Sequence, residues 1–467
     1  MTSQTYDVIV IGAGPGGYVS ALRASQLGMK VAIIEAADLG GVCLNWGCIP
    51  TKSLLRSAEV FHLMKAHKEF GLNAEKISAN LSEIVARSRK VSQTLASGVT
   101  ALLHKAKVKV FKGRASFVSS NKVKITGEDA LEISASKIVI ATGAKARILQ
   151  GFEPDGVNIL TYKEAMMQKE MPESIIVVGS GAIGIEFASF YNSLGVDVTV
   201  LEAREHILPQ EDLEVSEFAR KSFEKQGIKI VTSVLLKSIK NNKKNVTLEF
   251  EVNNQKHNLT AEKLIMAVGI VPNTRDIGLE HTKVRLDDKG FVQVDRALKT
   301  LDENIYAIGD IVEGPWLAHK ASHEGIIVAE NIAGKKTTPI DKNKIPACTY
   351  SMPQIASIGL TELEAKNSGK KIRVGKFPFM GNGKAIALGE SEGFIKMIFE
   401  ETTGEILGSH MIGAEVTELI NSIALAMTLE ATEEDIIHTI FPHPTLSEMI
   451  HESALSAFNR AIHIPNK

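Results

Sequence analysis

Two separate stretches of this chain spell the same supersecondary unit, and that doubling restricts its fold more than any other feature. YDVIVIGAGPGGYVSALRASQLGMKVAIIE runs from Tyr6 to Glu35, and SIIVVGSGAIGIEFASFYNSLGVDVTVLE runs from Ser174 to Glu202. Each reads as a β-branched strand, a glycine turn, an amphipathic helix ending in Leu-Gly, and a second strand ending in Glu. The first glycine and the closing glutamate are 23 positions apart in both, Gly12 to Glu35 and Gly179 to Glu202. A short strand ending in a glycine turn closes each unit, Lys137 to Ala144 for the first and Lys263 to Ile270 for the second. The class is therefore α/β, with two complete βαβ units.

Gly12, Gly14 and Gly17 fit the spacing G-x-G-x-x-G directly after a strand. The first glycine permits the tight turn, the second lets a pyrophosphate approach the backbone, and the third lets the helix pack on the strand. The helix N-terminus then faces the phosphates. Glu35 ends the second strand, placed to accept hydrogen bonds from a ribose. Gly179, Gly181 and Gly184 with Glu202 repeat every element. A glycine turn kept only for packing is the plain alternative, but it does not require strand, helix and acid to recur together. Two dinucleotide sites in one chain imply electron traffic between two cofactors. Glu202 suits the free hydroxyls of NAD and would repel a 2′-phosphate, while Arg204, two residues on, leaves room for NADP.

The rest of the chain narrows the class further. Its 467 residues, 44% hydrophobic and 23% charged, describe a globular protein of several domains. Lys plus Arg number 53 against 54 Asp plus Glu, so no long-range field gathers nucleic acid or acidic lipid. The longest apolar candidate, Ile175 to Leu201, is broken by Glu186, Asn192 and Asp197, and no membrane span is expected. MTSQTYDVIVIG has no basic residue ahead of its apolar run, and reads as the first strand of an unprocessed cytoplasmic chain. Alternation between Val108 and Ile133 predicts a small antiparallel insertion. From about Ile345 strand-like runs resume, with a hairpin at FEETTGEILG and helix from Glu415 onward.

GGVCLNWGCIPTK, Gly40 to Lys52, holds two of the three cysteines, Cys43 and Cys48. A structural zinc needs four ligands; Cys348 is remote and no His is near, so zinc is disfavoured. Two inert core thiols remain the bland reading. A disulfide here closes so short a loop that it contributes roughly 2 kcal/mol at most. A thiol near a helix start instead forms thiolate readily, which suits exchange chemistry. Exchange chemistry needs a proton acceptor, but with 13 His in the chain any single one reads by itself as structural or exposed. His443, in FPHPTLSEMIHESA, is held extended by prolines on both sides. Glu448 follows at the start of a predicted helix, where a carboxylate can orient the imidazole.

GGVCLNWGCIPTK resembles the redox-disulfide motif of the flavin-dependent pyridine nucleotide-disulfide oxidoreductases. The resemblance covers essentially the whole chain: both glycine loops, the cysteine pair, Ala-Thr-Gly, Gly-Asp and the C-terminal His motif. It implies two Rossmann-like dinucleotide-binding domains, for FAD and then NAD, plus a C-terminal α+β dimerisation domain. Residues 1–145 would be the first part of the FAD-binding domain, 146–269 the NAD-binding domain, 270–336 the second FAD or central part, and 337–467 the interface domain. Cys43 would be the interchange thiol that meets the substrate, and Cys48 the charge-transfer thiolate nearest the flavin. Lys52 would lie near the flavin edge with Glu186 as its partner. Further FAD contacts would come from Gly12, Gly14, Gly17, Glu35, Ala115, Thr142, Gly143, Asp310 and Ala318. NAD contacts would come from Gly179, Gly181, Gly184, Glu186, Glu202 and Gly269, with no metal involved. HPTLSE resembles the family's His-Pro-Thr motif, which makes His443 and Glu448 catalytic and carries that segment to the partner subunit of a homodimer.

The Cys-Leu-Asn-x-Gly-Cys-Ile-Pro form resembles the dihydrolipoamide-oxidising members more than glutathione reductase. That implies NAD-linked oxidation of dihydrolipoyl groups through a Cys43–Cys48 disulfide and FAD. Partners would be lipoyl-bearing subunits of 2-oxo acid dehydrogenase complexes or a glycine-cleavage carrier protein. The rivals are a glutathione-type or other disulfide reductase using NAD(P)H, and a flavoprotein scaffold within a multienzyme complex. Two positions depart from the pattern: Ile270 stands where arginine is frequent, and Trp46 stands between the cysteines where smaller residues are common.

Overall fold

A computed structural model describes residues 4–466. The chain divides into two compact units, Met1–Leu54 with Ser82–Arg147 and Gly269–Ile340, and Leu55–Leu81 with Ile148–Val268 and Asp341–Lys467.

In the first unit, strands Lys109–Lys112, Val31–Glu35, Gln4–Ile11, Leu131–Ile140 and Ile305–Ala307 lie side by side and parallel. Val8, Ile9 and Val10 are wholly buried, so both faces of the central strand are covered, which is why it reads as a continuous apolar run. One cover is the helix Pro15–Gln26, against which the helix Ala318–Ile332 packs closely. A Cβ on Gly325 would lie 2.5 Å from the Gly16 carbonyl oxygen, so the two backbones touch and only glycine fits. The expected antiparallel insertion is the pair Arg114–Ser119 and Lys122–Thr126, built onto Leu131–Ile140. Lys109–Lys112 departs from that expectation and joins the parallel sheet beside Val31–Glu35.

The second unit holds the second parallel sheet, in the order Lys229–Val231, Asp197–Leu201, Ser174–Val178, Lys263–Met266, Ile159–Leu160. A three-stranded meander, Leu235–Asn241, Val246–Val252 and Gln255–Ala261, stands between Lys229–Val231 and Lys263–Met266 in sequence. The C-terminal part is a five-stranded antiparallel sheet, Ala347–Thr349, Gln354–Gly359, Ile406–Gly413, Phe394–Glu400 and Ile372–Pro378. FEETTGEILG forms its expected hairpin. The helices Val416–Thr428 and Glu448–Ala457 pack on this sheet around Phe377, Phe399, Met411 and Ile420.

A polar row crosses the C-terminal sheet. Ser357, His410 and Lys396 are register partners on three adjacent strands, so their side chains leave the same face. Lys396, only 2% exposed, is bonded by Asp212 at 2.8 Å and Glu362 at 2.6 Å. Asp212 also caps the helix Leu213–Lys225 by accepting from the Glu214 N–H at 3.1 Å. Burial pulls the His410 imidazole down, and its Nε2 lies 2.9 Å from the Leu360 carbonyl. Beside this row, burial pushes the Glu211 carboxyl up to about 7, with the Asp212 charge adding to the effect and a Ser357 hydrogen bond opposing it.

A carboxyl whose pKa is raised by folding contributes stability that is full below its unfolded value, near ~4.3, and is lost as pH rises through the folded value. For Glu211 the loss falls between about pH 4.5 and 7 and amounts to roughly 3 kcal/mol. Glu211→Gln should therefore gain about that much relative to the parent chain between pH 4.5 and pH 7.5, read by urea unfolding at the two values. A gap that stays constant with pH would show that Glu211 is already ionised in the fold.

Candidate functional site

The two glycine loops match atom for atom in what they forbid. A Cβ on Gly17 would lie 1.9 Å from the Gly12 carbonyl oxygen, and one on Gly184 would lie 2.0 Å from that of Gly179. Gly12 and Gly179 have φ of +99° and +100°, and a Cβ on either would strike the carbonyl oxygen of Ala141 at 2.3 Å or of Ala267 at 2.4 Å. Gly14 and Gly181, by contrast, have nothing within 4 Å of a Cβ, so open space lies at the start of each helix. That combination of a tightly folded turn and an empty approach at a helix N-terminus fits the pyrophosphate of a dinucleotide.

Both closing acids brace their own loop. Glu35 accepts from the Ala13 N–H at 2.7 Å and the Ala37 N–H at 2.8 Å. Glu202 accepts from the Ser180 N–H at 2.8 Å, the Ser180 hydroxyl at 2.6 Å and the Arg204 N–H at 2.8 Å. Burial pushes the Glu35 carboxyl up, against the pull of the Ala13 and Ala37 N–H groups. Sequence reasoning assigned these carboxylates to a ribose; the structure shows that each also fixes the residue after the first glycine.

The cysteines are attached directly to the first loop. Gly41 has φ +61°, and a Cβ there would come within 2.6 Å of the Gly14 Cα. The Gly40 N–H donates to the Ala13 carbonyl at 2.9 Å. Cys43 follows in the short helix Gly41–Trp46, and Cys48 opens the long helix Cys48–Lys65, with only Gly47 between the two helices. Both are half-buried and stand as thiols, not as a disulfide. The hydrogen bond with Cys48 and burial push the Cys43 thiol up, while the Lys52 ammonium acts in the opposite direction. The expectation of an easily formed thiolate therefore does not describe Cys43. It lies inside a helix facing its partner sulfur.

Several groups that the sequence did not single out hold this loop. Asn45 Nδ2 donates to the carbonyls of Leu39 and Gly41 at 3.0 Å each. Arg89 donates to the Asn45 carbonyl, and its guanidinium lies 4.6 Å from the Trp46 ring centroid. The Trp46 indole N–H donates to Asp38 at 3.2 Å. Arg87 bonds the Ser53 hydroxyl at 2.8 Å and its carbonyl at 3.1 Å. Two arginines at i and i+2 in a charged helix carry no sequence signal of such a role.

The remaining expected contacts are spread over both units. Asp310 follows Gly309, whose N–H donates to Glu324 at 2.7 Å; Glu324 pairs with Lys320 at 2.8 Å, both almost fully buried. Burial pushes the Asp310 carboxyl up, with Lys320 acting against it. Ala318 begins the helix that carries both residues. The Thr142 hydroxyl donates to the Asn273 carbonyl at 2.9 Å, and the Asn273 side chain returns to the Thr142 carbonyl at 3.0 Å, leaving Gly143 at φ +68°. Ala115 is buried among Phe111 and Phe117. In the second unit Glu186 is 5% exposed, and its Oε1 accepts from the Tyr350 N–H at 3.0 Å. Gly269, in the first unit, has φ +105°, and its carbonyl accepts from the Arg147 N–H at 2.9 Å. Ile270 pairs with Ala146 across an antiparallel ladder.

His443 lies outside any helix, and Glu448 opens the helix Glu448–Ala457, as the prolines predicted. His443 Nδ1 lies 2.9 Å from Glu448 Oε1, with the imidazole 78% exposed. Glu448 Oε2 accepts from the Thr445 N–H at 2.8 Å. Burial works against ionisation of Glu448, but Thr445 and His443 together hold its carboxyl below the usual range. The pair leaves Nε2 as the open nitrogen of an oriented imidazole.

Residues 6–325 match the family described as pyridine nucleotide-disulphide oxidoreductase, and residues 345–454 match its dimerisation domain. The chain belongs to this family. It is 49% identical to the dihydrolipoyl dehydrogenase of Rhizobium etli, over 98% of this chain and 99% of that one. It is 42% identical to a dihydrolipoyl dehydrogenase of Bacillus subtilis, again over 98% and 99%. Among solved structures it is similar to LpdA of Mycobacterium tuberculosis, with TM-score 0.90 and 29% identity over 96% of this chain and 99% of that one. It is also similar to RclA, an HOCl-induced flavoprotein disulfide reductase of Escherichia coli, with TM-score 0.86 and 27% identity over 96% and 99%. The family's cofactors are FAD and NAD, and both cradles have the shape to take a dinucleotide. No described helix is long and apolar enough to cross a membrane.

Gly14→Ala and Gly17→Ala should behave differently. The Gly14 variant adds a Cβ into open space and should unfold within roughly 0.5 kcal/mol of the parent apoprotein while binding FAD more weakly. The Gly17 variant drives its Cβ into a carbonyl oxygen and should lose about 1–3 kcal/mol of apoprotein stability as well. Denaturant unfolding of the two apoproteins, with a flavin fluorescence titration, separates the effects.

Proposed function

We propose that the chain oxidises protein-bound dihydrolipoyl groups with NAD through a redox disulfide between Cys43 and Cys48. The observation that carries this reading is the pair itself: two half-buried thiols sharing a hydrogen bond, on a loop whose backbone touches the first glycine cradle. The names of the relatives and their near-complete coverage support the substrate. The first cradle, with Glu35, Thr142, Gly143, Asp310, Ala115 and Ala318, is assigned to FAD, and the second, with Glu186, Glu202 and Gly269, to NAD. Lys52, one turn into the helix that Cys48 opens, is assigned to the FAD side of the site. The four segments 1–145, 146–269, 270–336 and 337–467 are the corresponding functional divisions.

The chemistry starts from the oxidised pair. A substrate thiolate attacks the Cys43 sulfur, the Cys43–Cys48 bond breaks, and Cys48 leaves as thiolate at the start of an 18-residue helix, the end that favours negative charge. The second substrate thiol passes its proton to Nε2 of His443 and attacks the substrate sulfur of the mixed disulfide. The lipoyl ring closes and Cys43 is released. Glu448 holds the imidazole by Nδ1 and stabilises the imidazolium that forms. FAD, when bound, supplies the two-electron path from the reduced cysteine pair to NAD as that pair closes again.

The matched dimerisation domain and the 78% exposure of His443 support a homodimer in which His443 of one chain serves the cysteines of the other. The physiological partner is then a lipoyl-bearing subunit of a 2-oxo acid dehydrogenase complex or a glycine-cleavage carrier protein, met in the cytoplasm.

Steady-state turnover of dihydrolipoamide with NAD should exceed that of glutathione disulfide with NADPH, and the reverse order would overturn the substrate. His443→Gln should lower lipoamide turnover about 10²–10⁴-fold at an unchanged flavin content, the range for loss of a positioned general base. A variant with parental turnover would remove His443 from the mechanism.

A further inference from the structure

We propose that Arg89 is a positioning residue for the redox pair: through Asn45 and Trp46 it sets how tightly the two sulfurs are held together, and so the reduction potential of the Cys43–Cys48 couple. The proposal rests on the assignment of that pair as the redox disulfide.

The helix Gly41–Trp46 has six residues, so the carbonyls of its last turn lack intrahelical partners. Asn45 carries one of them, midway between the cysteines in sequence, and Arg89 donates to it. The same guanidinium covers the face of Trp46 at 4.6 Å, and the indole N–H is fixed on Asp38. Asn45 is 8% exposed, and its side chain ties back to the Leu39 and Gly41 carbonyls at the entry to the helix. Entry, middle and exit of this segment are therefore all bonded, and Arg89 reaches it from a distant element, the helix Leu81–Lys105. A planar cation that donates in its own plane while stacking through its face is a guanidinium property that lysine does not reproduce.

Oxidising the couple converts two thiols to one S–S bond, releasing two protons and two electrons, the electrons passing to the flavin in the holoenzyme. Its equilibrium constant is set by the effective concentration of one sulfur at the other. A braced loop holds that concentration high and keeps the disulfide stable. Loss of the brace lets Cys43 move away from Cys48 and makes the disulfide easier to reduce.

The test is a thiol–disulfide titration. Holoenzyme is equilibrated anaerobically in graded ratios of reduced and oxidised lipoamide and quenched with an alkylating reagent, and labelled Cys43 and Cys48 are counted by mass spectrometry. Arg89→Ala should lower the effective concentration about tenfold, a rise of ~30 mV in the two-electron midpoint. Arg89→Lys should recover less than half of that rise, and Trp46→Leu, which removes the stacked face but keeps the arginine, should shift the midpoint in the same direction. A parental midpoint in both Arg89→Ala and Trp46→Leu overturns the proposal. If the parent enzyme itself shows no paired titration of Cys43 and Cys48, it is the assignment of the redox disulfide that fails.

Discussion

A carbonyl oxygen lies where a side chain would otherwise stand, at Gly17 and again at Gly184, and the rest of the molecule is arranged around those two approaches. Each brings a helix start down onto the end of a buried parallel strand, so that unbonded N–H groups point into open space beside Gly14 or Gly181. Each is braced by an acid from the next strand, Glu35 on the Ala13 N–H and Glu202 on the Ser180 N–H. In the first unit a third backbone approach, Gly41 against Gly14, ties the cysteine segment to the same point. Sulfur chemistry and dinucleotide binding thus share one rigid piece of main chain, and small errors of position in either are transmitted to the other.

The thiols in this arrangement are not equivalent. Cys43 lies inside a short helix with its proton held by its neighbour, and Cys48 begins a long helix. In the other unit Glu448 fixes the exposed His443 imidazole through a 2.9 Å contact. The cysteine segment is densely braced, whereas the His443 imidazole is open. The buried cluster of Lys396, His410, Asp212 and Glu211 ties the C-terminal sheet to the helix Leu213–Lys225 within the second unit.

Much of this was legible in the residues alone. The equal spacing of Gly12 to Glu35 and Gly179 to Glu202 corresponds to two parallel sheets with matching loop conformations, because glycine turns and helix starts are decided locally. The prolines around His443 keep it out of a helix, and Glu448, expected as its partner from the His–acid pattern and the family motif, lies 2.9 Å away. What the sequence could not show depends on distant neighbours. The high proton affinity of Cys43 arises from its facing Cys48, not from a helix end. Arg89 reaches Asn45 from 44 positions away along the chain, and nothing in its surroundings marks it. Trp46, a departure from the family pattern in sequence, carries Asp38 on its edge and Arg89 on its face, neither of which is near enough in pattern to be read from the motif. Lys109–Lys112 alternates like an antiparallel strand, but the free edge of Val31–Glu35 takes it up as a parallel one.

The central claim is that reducing equivalents enter only through the cysteine pair. Its most direct test is an anaerobic comparison of the parent holoenzyme with Cys43→Ser, following NADH formed from dihydrolipoamide and, separately, NADH oxidised by an artificial one-electron acceptor. The variant should retain the second reaction, which needs only the two dinucleotide sites, and lose the first entirely. Continued production of NADH from dihydrolipoamide without Cys43 would contradict the claim.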